Sequence, residues 1–337
     1  MGEFELIQRF FTRPERPTAP GVALGIGDDC ALLQPTPGMH LAVSSDMLVA
    51  GRHFFVDTGP RALGHKALAV NLSDLAACGA RPLGFTLALA LPEANAAWLE
   101  PFSQGLLALA DAHGCELVGG DTTQGPLNIC ITVFGEVPPG QASLRSGARA
   151  GDDIYVSGTL GDARLALEAL QGRLALPDAV LTQARQRLEQ PTPRVDLGLA
   201  LRGIASACAD ISDGLLGDLG HILAHSGVGA TVQTFNAMNL IAACEHPAWP
   251  RGLFGTENGS TKRLQCVLAG GDDYELVFTA PVNQRAAVQA ASTASATPVT
   301  RIGQIEAQAG LRLVDGDGAP VSNTFASFDH FASTTGT

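Results

Sequence analysis

The sequence predicts an α/β protein built from two domains. The chain has 337 residues, which is more than one hydrophobic core usually serves. Hydrophobic residues make up 46% of the chain and glycine occurs 39 times, a composition suited to tightly packed layers joined by glycine-rich loops. Short apolar runs that end in Gly or Ser followed by Asp are typical of buried strands, and they alternate with longer helical stretches.

Two long helices are predicted in the first half of the chain. The first begins at Pro60, since proline favours the first helical position, and Gly79 ends it. The second spans Glu93 to His113, where apolar side chains recur at helical spacing up to Gly114. The first helix is rich in Ala, Leu and Val from Ala62 to Ala77, and the second carries its apolar residues on one stripe.

The boundary between the domains is predicted at Pro138-Pro139-Gly140, because a strand ends there and a new α/β unit begins at Ile154. This divides the chain into residues 1–140 and 141–337. Residues 240–262 are rich in Pro and Gly and are predicted to form a surface insertion.

Charge, cysteine usage and hydropathy exclude several classes of function. A formal net charge of -12 argues against binding to nucleic acid or to an anionic membrane, since both need a basic surface. The seven cysteines are scattered and form no Cys-x-x-Cys, which favours reduced thiols over disulfides or a zinc site. No apolar run reaches the length of a membrane helix and no signal peptide is recognisable, so we expect a cytoplasmic protein.

Aspartates recur at the ends of the predicted strands. A single Asp there is usually a turn residue or a helix cap, but strand ends in an α/β sheet converge on one crevice. Several carboxylates crowded into a crevice would repel one another unless a divalent cation such as Mg²⁺, Ca²⁺ or Mn²⁺ lay between them. Nearly all of the aspartates concerned follow an apolar run or lie beside Gly or Ser, and the full set, which includes one residue of a predicted helix, is Asp28, Asp29, Asp46, Asp74, Asp121, Asp210, Asp213, Asp272 and Asp273.

Asp74 stands out because it lies inside the first predicted helix, which is otherwise rich in Ala, Leu and Val. Asp is unfavourable in a helix interior, and burying its charge is costly. One interpretation is a structural ion pair with Lys66, two turns earlier on roughly the same face. The interpretation that we favour is a carboxylate that faces a metal ion.

The usual phosphate-binding loops are absent from the sequence. Neither of the two lysines follows a glycine, and Gly25-Ile26-Gly27 lacks the third glycine of a dinucleotide-binding loop. Arg145 could supply a bidentate phosphate contact, although taken alone it is more typical of a surface residue.

Six motifs, in order along nearly the whole chain, resemble the thiamine-phosphate kinase family. That family belongs to the ATP-binding superfamily that includes aminoimidazole ribonucleotide synthetase. The motifs are Gly25-Ile26-Gly27-Asp28-Asp29-Cys30-Ala31, Ser44-Ser45-Asp46, the run from Lys66 to Ala77, Gly119-Gly120-Asp121-Thr122-Thr123, Ile211-Ser212-Asp213-Gly214-Leu215 and Gly270-Gly271-Asp272-Asp273-Tyr274-Glu275-Leu276. The resemblance implies a two-domain fold with mixed sheets covered by helices, the first domain binding Mg-ATP and the second completing the active site.

The resemblance also implies roles for individual residues, a homodimer whose N-terminal domains meet, and several Mg²⁺ ions with ATP as co-substrate. The implied magnesium ligands are Asp29, Ser44, Ser45, Asp46, Asp74, Asp121, Asp210 and Asp213. The implied ATP contacts are Gly120, Asp121, Arg145 and Ser212, and the implied contacts to thiamine phosphate are His53, Asp272 and Phe328.

Three residues depart from what relatives often carry. Ser45 replaces Thr and keeps the hydroxyl, Asp272 replaces Glu and is one methylene shorter, and Phe328 replaces Tyr or Trp and cannot donate a hydrogen bond. The implied reaction is direct transfer of the γ-phosphate of ATP to thiamine phosphate. It needs no general base, because the acceptor oxygen is already ionised. The alternatives are another ATP-using enzyme of the superfamily, such as aminoimidazole ribonucleotide synthetase, and a non-catalytic regulator that binds Mg²⁺ and nucleotide.

Overall fold

The computed structural model describes residues 2–13, 18–250, 252–254 and 257–325. The helices in chain order are α1 (Glu3–Phe10), α2 (Pro60–Cys78), α3 (Ala96–Ala112), α4 (Asp162–Leu170), α5 (Asp178–Glu189), α6 (Val195–Ala200), α7 (Leu215–Ser226), α8 (Thr234–Met238), α9 (Glu257–Ala269) and α10 (Arg285–Ala294). None of the described helices combines the length and hydropathy needed to cross a membrane.

The strands form mixed sheets, which confirms the predicted fold class. They are β1 (Val22–Leu24), β2 (Leu32–Leu33), β3 (His40–Val49), β4 (Arg81–Leu91), β5 (Glu116–Gln124), β6 (Asn128–Val137), β7 (Asp153–Ser157), β8 (Ala207–Ile211), β9 (Gly229–Gln233), β10 (Glu275–Ala280), β11 (Val299–Glu306), β12 (Gly310–Val314) and β13 (Pro320–Val321).

The chain divides into two compact units, the first made of Met1–Ala142 with Glu189–Arg202 and the second of Ser143–Leu188 with Gly203–Thr337. The segment Glu189–Arg202 therefore differs from the predicted boundary, under which all residues beyond 140 form the second domain. It joins the first unit because α6 packs on α2, and Nε of Arg202 donates to the carbonyl oxygen of Gly79 over 2.6 Å.

The first unit contains a four-stranded sheet in the order β3-β6-β4-β5, in which only β4 and β5 are parallel. α2 packs on this sheet, and its start at Pro60 and its left-handed end at Gly79 are as predicted. α3 begins at Ala96 rather than at Glu93, because the side chain of Asn95 accepts the amide of Ala97 over 3.0 Å and caps the helix there.

Two aspartates predicted at strand ends lie inside strands instead. β3 pairs with β6 along its whole length, from His40 to Val49, so Asp46 falls within the strand. β5 likewise continues past Asp121 to Gln124, after a register shift opposite Phe85 and Thr86 of β4. The Gly and Ser residues before these aspartates do not end the strands, because pairing with distant segments satisfies their backbone groups.

The second unit contains a seven-stranded sheet in the order β13-β12-β9-β11-β7-β10-β8, in which only β9 and β12 are parallel. The prediction of a surface insertion over 240–262 is wrong for its first residues: Leu240, Ile241 and Ala243 are buried. They are anchored because the carboxylate of Asp162 accepts the amides of Ala242 and Ala243 over 3.0 and 2.8 Å. The later part of this segment enters α9.

Glycines let α2 and α3 cross at close range. A Cβ added to Gly105 would lie 1.9 Å from the carbonyl oxygen of Arg61, and one added to Gly64 would lie 2.1 Å from that of Phe102. Neither backbone can move without disturbing the buried helix pair. The short distance between the two helices therefore depends on these two glycines.

We expect Gly105→Ala to lower the free energy of unfolding by about 1–3 kcal/mol or more, because the new methyl group must push the two backbones apart. Urea unfolding followed by circular dichroism measures this loss. Gly220→Ala on α7 is the matched control, since nothing lies within 4 Å of its added Cβ, and it should be neutral or stabilising by about 0.4–1 kcal/mol. Equal stability of Gly105→Ala and the parent would contradict the close crossing.

Candidate functional site

The first group of predicted site residues lies where β3 meets α2 in the first unit. Oγ of Ser44 donates to Oδ2 of Asp74 over 2.5 Å. The amide of Asp46 donates to Oδ1 of Asn71 over 3.0 Å, which fastens the outer edge of β3 to α2. Ser44 and Asp46 are two residues apart on one strand and therefore share a face. The structure thus brings together Ser44, Asp46 and Asp74.

Ser45 lies on the opposite face of β3 from Ser44 and Asp46. Its hydroxyl is 2.9 Å from Oγ1 of Thr132 and donates to the carbonyl oxygen of Ile131 over 3.1 Å. The period of two along a strand separates its side chain from Asp74. The structure therefore does not gather the Ser45 side chain with the other residues of its motif.

His53 and Lys66 are held next to each other at the turn after β3. Nδ1 of His53 accepts the amide of Val49 over 3.0 Å, so the neutral ring carries its proton on Nε2. Lys66 is 2% exposed, and its ammonium lies 3.5 Å from the carbonyl oxygen of His53. One partner of Lys66 is thus the carbonyl oxygen of His53, and one partner of Asp74 is the hydroxyl of Ser44.

A cleft of about 600 Å³ in the first unit gathers Asp29, Gly120 and Asp121. Gly120 has a φ of +147°, and a Cβ at this position would lie 1.9 Å from the carbonyl oxygen of Leu87, so only glycine fits. The apolar part of the wall comes from α1, from the segment before Asp28 and from β5. It consists of Phe4, Ile7, Phe11, Ile26, Leu117 and Val118.

In the second unit, a buried carboxylate shapes the turn that carries Ser212 and Asp213. Oδ2 of Asp218 accepts the amides of Ser212, Asp213 and Gly214 over 3.1–3.2 Å. Burial, followed by the nearby charge of Asp213, raises the pKa of Asp218 to about 7. Asp210 precedes this turn within β8 and is 5% exposed, so it too lies inside a strand rather than after one.

The loop between α9 and β10 holds Asp272 beside this turn. Asp272 and Tyr274 have φ values of 60° and 50°, a left-handed conformation that costs energy for residues other than glycine. Their amides donate to the carbonyl oxygens of Ser212 and Ile211, both over 2.8 Å. The structure thus brings Ser212, Asp213 and Asp272 together.

Asp273, next to Asp272, is a structural acid. It is 1% exposed, and its two carboxylate oxygens accept the amide of Gly161 over 2.9 and 3.1 Å. Burial raises its pKa well above the usual range for an aspartate. Nη2 of Arg187 donates to the carbonyl oxygen of Asp273 over 3.3 Å and to Oε1 of Glu275 over 2.7 Å, which ties the loop to α5.

Sequence reasoning missed two residues that shape the site, Asp218 and Arg187. Asp218 carries only a weak sequence signal, since an acid in the first turn of a helix, here one that begins Leu215-Leu216, is common and favourable. Nothing in the sequence near Arg187 indicates its partner Glu275, because that contact depends on the tertiary fold. Of the remaining predicted residues, Arg145 is exposed in the second unit and Phe328 lies outside the described residues.

The described residues contain no group of three or more His, Cys, Asp or Glu side chains with metal-binding geometry. The oxygen atoms of Ser44, Asp46 and Asp74 nevertheless fit a hard divalent cation, because hydroxyl and carboxylate oxygens are the donors that Mg²⁺ prefers. Mg²⁺ is usually held by one or two carboxylates together with substrate phosphates and water, rather than by a complete protein cage. The contact between β3 and α2 offers two carboxylates, those of Asp46 and Asp74, which agrees with this mode of binding.

Family models and individual relatives match the chain over nearly its full length. The AIR synthase related protein N-terminal domain matches residues 27–137, and the corresponding C-terminal domain matches residues 149–316. Thiamine-monophosphate kinase from Salmonella typhimurium is 47% identical over 98% of both chains.

Solved structures agree with these matches. The crystal structure of thiamine-monophosphate kinase from Stenotrophomonas maltophilia has a TM-score of 0.82 and 47% identity, covering 95% of this chain and 98% of that one. AaThiL complexed with AMPPCP and TMP has a TM-score of 0.71 and 30% identity, covering 98% and 97%. The motifs, the two matched domains and the full-length similarity together show that the chain belongs to the thiamine-monophosphate kinase family of AIR synthase related proteins.

Proposed function

We propose that the protein transfers the γ-phosphate of ATP to thiamine phosphate and so makes thiamine diphosphate. The observation that carries this proposal is the full-length similarity to AaThiL, a relative solved with both AMPPCP and TMP. The residues gathered at the β3–α2 junction and in the 600 Å³ cleft supply what such a reaction requires, carboxylates for cations and an apolar wall for a nucleotide base.

Magnesium would be held by the oxygen atoms of the aspartates and serines assigned to it. In the first unit these are Ser44, Asp46 and Asp74, with Asp29 and Asp121 at the cleft and Ser45 placed to contribute only through its backbone. In the second unit they are Asp210 and Asp213. When bound, the ions would neutralise the negative charge on the phosphate groups of the two substrates, which otherwise repel each other.

ATP binding is assigned to residues of both units. Gly120 lets the backbone approach closely beside Asp121, and the adjoining apolar wall suits the flat face of a base. Ser212 sits in the turn that Asp218 fixes, so its position is set before any ligand binds. Arg145 is exposed and available for a bidentate contact with a phosphate group.

Contacts to thiamine phosphate are assigned to His53, Asp272 and Phe328. His53 uses Nδ1 to accept the amide of Val49, which orients the ring and places its proton on Nε2. The amide of Asp272 donates to the carbonyl oxygen of Ser212, which fixes the backbone from which this side chain, one methylene shorter than Glu, extends. No residue is assigned as a general base, because the acceptor is a phosphate oxygen that is ionised at neutral pH. Positioning for in-line displacement and charge neutralisation then carry the catalysis.

We also propose a homodimer in which the open face of the four-stranded sheet is covered by a second copy. On that face, Leu41, Val43 and Met47 of β3 are 47%, 55% and 53% exposed. A row of apolar side chains on one strand face is a typical interaction surface. It lies on the side of β3 away from α2, so covering it leaves the Ser44–Asp74 contact undisturbed.

The function is tested by comparing acceptors. With ATP and Mg²⁺, thiamine phosphate should give thiamine diphosphate, and free thiamine should react with a kcat/KM lower by about 10²–10⁴-fold, since a hydroxyl acceptor lacks the base that it needs. Chelation of Mg²⁺ should abolish the reaction. Efficient phosphorylation of free thiamine would contradict the mechanism. Absence of thiamine diphosphate would favour another enzyme of the superfamily or a non-catalytic regulator.

The dimer is tested by sedimentation velocity. We expect the parent to sediment as a dimer and Val43→Glu to shift the protein toward monomer, because a buried unpaired carboxylate opposes association. Val282→Glu is the matched control, since Val282 is 43% exposed in the second unit. A monomeric parent, or a Val43→Glu protein that remains dimeric, would show that this face is not the interface.

A further inference from the structure

A cleft of about 300 Å³ in the second unit carries an excess of positive charge that the proposed function does not use. Among the side chains that the structure describes there, Arg164, Arg173 and Lys262 are the cations that line it, and Glu168 is the single acid. The chain as a whole has 21 cationic against 33 acidic side chains, so three cations around one acid are a marked local reversal. We call these four residues the cationic cleft.

The single negative charge of Glu168 does not neutralise the three positive charges of the cationic cleft. Its Oε1 accepts from Nη2 of Arg164 over 2.8 Å and from Nη2 of Arg173 over 2.9 Å, and its Oε2 accepts from Nε of Arg173 over 2.7 Å. The hydrogen bond from Arg173 lowers the pKa of Glu168, so this acid stays ionised between two guanidinium groups. Its one negative charge leaves a net charge of two positive units in the cleft.

The cationic cleft also retains unused hydrogen-bond donors. Nε of Arg164 is buried and has no hydrogen-bond partner within the described part of the chain. Leaving such a donor unsatisfied is costly. Lys262 makes no ion pair with any residue whose side chain the structure describes. Guanidinium groups already oriented by Glu168 bind an anion with little further loss of side-chain entropy.

The remaining walls do not oppose an anion. Burial raises the pKa of the Cys266 thiol to about 12, so this side chain adds no negative charge. Phe254 and Leu174 add an apolar side to the cleft, and Gln265 adds an amide. The cleft is small, at the lower limit of the volumes typical of ligand sites. A compact anion therefore fits better than a nucleotide.

We propose that the cationic cleft binds a small phosphate-bearing anion of the pyrophosphate or phosphomonoester class, held between α4 and α9. Arg164 belongs to α4 and Lys262 to α9, and the two helices pack against each other. α9 leads directly into Gly270, whose added Cβ would lie 2.9 Å from Cβ of Arg164. The proposed anion therefore lies close to Gly270, where the loop that carries Asp272 begins. This site does not depend on the proposed kinase reaction.

The test is isothermal titration of the full chain with pyrophosphate in the presence of EDTA, so that no divalent cation can recruit the anion to the acidic positions. We expect saturable binding of one pyrophosphate per chain. Lys262→Gln and Arg173→Gln should each weaken binding by about tenfold or more, since a charge-assisted hydrogen bond contributes at least this factor. Succinate should bind much more weakly, because it lacks the phosphate oxygens.

Arg301→Gln is the matched control. Arg301 is 51% exposed, as is Arg173, and its partner Asp153 keeps the second arginine Arg285. This variant should bind pyrophosphate within about twofold of the parent, because Arg301 does not line the cleft and the charge of an exposed side chain is screened by salt. Absence of saturable binding to the parent, equal losses in Arg301→Gln, or unchanged binding in Lys262→Gln and Arg173→Gln would each overturn the proposal. Melting temperatures verify that every variant is folded.

Discussion

The site in the first unit depends on the burial of α2 between the four-stranded sheet and the helices α3 and α6. Gly64 and Gly105 let α3 approach one side of α2, and Gly198 of α6 packs against the backbone of Ala76. A helix held on these sides cannot rotate or slide. Asp74 is therefore fixed against Ser44 of β3, and no relaxation of the helix can separate the carboxylates gathered there. A cation bound between the carboxylates would relieve their repulsion, which is why a rigid acidic site at the contact of β3 and α2 suits metal-bound phosphates.

The acids at two loops of the second unit fall into two groups with different surroundings. Asp218 and Asp273 are buried, and their oxygens accept backbone amides, so they determine the shape of the loops. Asp213 and Asp272 lie on the loops so shaped and are the acids assigned to ligands. Each loop pairs one acid that accepts backbone amides with a neighbouring acid for which we propose a ligand-binding role. The left-handed backbone at Asp272 is tolerated because its hydrogen bond to Ser212 and the buried Asp273 hold the loop in place.

The sequence was sufficient to predict the mixed α/β fold, the ends of α2 and the family, because these depend on local patterns and on motifs that stand close together. Contacts between distant segments were not predictable in the same way. Asp46 lies inside a strand since β3 pairs with β6, about eighty residues later. The same pairing places Ser45 on the face opposite Asp46, and the partner of Arg187 is Glu275 on β10. Motif reasoning assigned roles to residues but could not assign a face of the sheet to each side chain.

We propose that the carboxylate of Asp74 binds a metal ion and does not serve mainly to stabilise α2. The turnover of Asp74→Asn tests this proposal most directly. At saturating Mg²⁺ and substrates, we expect turnover to fall by about 10²-fold or more, because stabilisation of transition-state charge is lost. The melting temperature without metal should be unchanged or higher, since one of the repelling charges is gone. Glu93→Gln, at an exposed position outside the acidic site at the contact of β3 and α2, is the control and should keep full turnover. Turnover of Asp74→Asn within a few-fold of the parent, accompanied by a lower melting temperature, would contradict the claim and make Asp74 a structural residue.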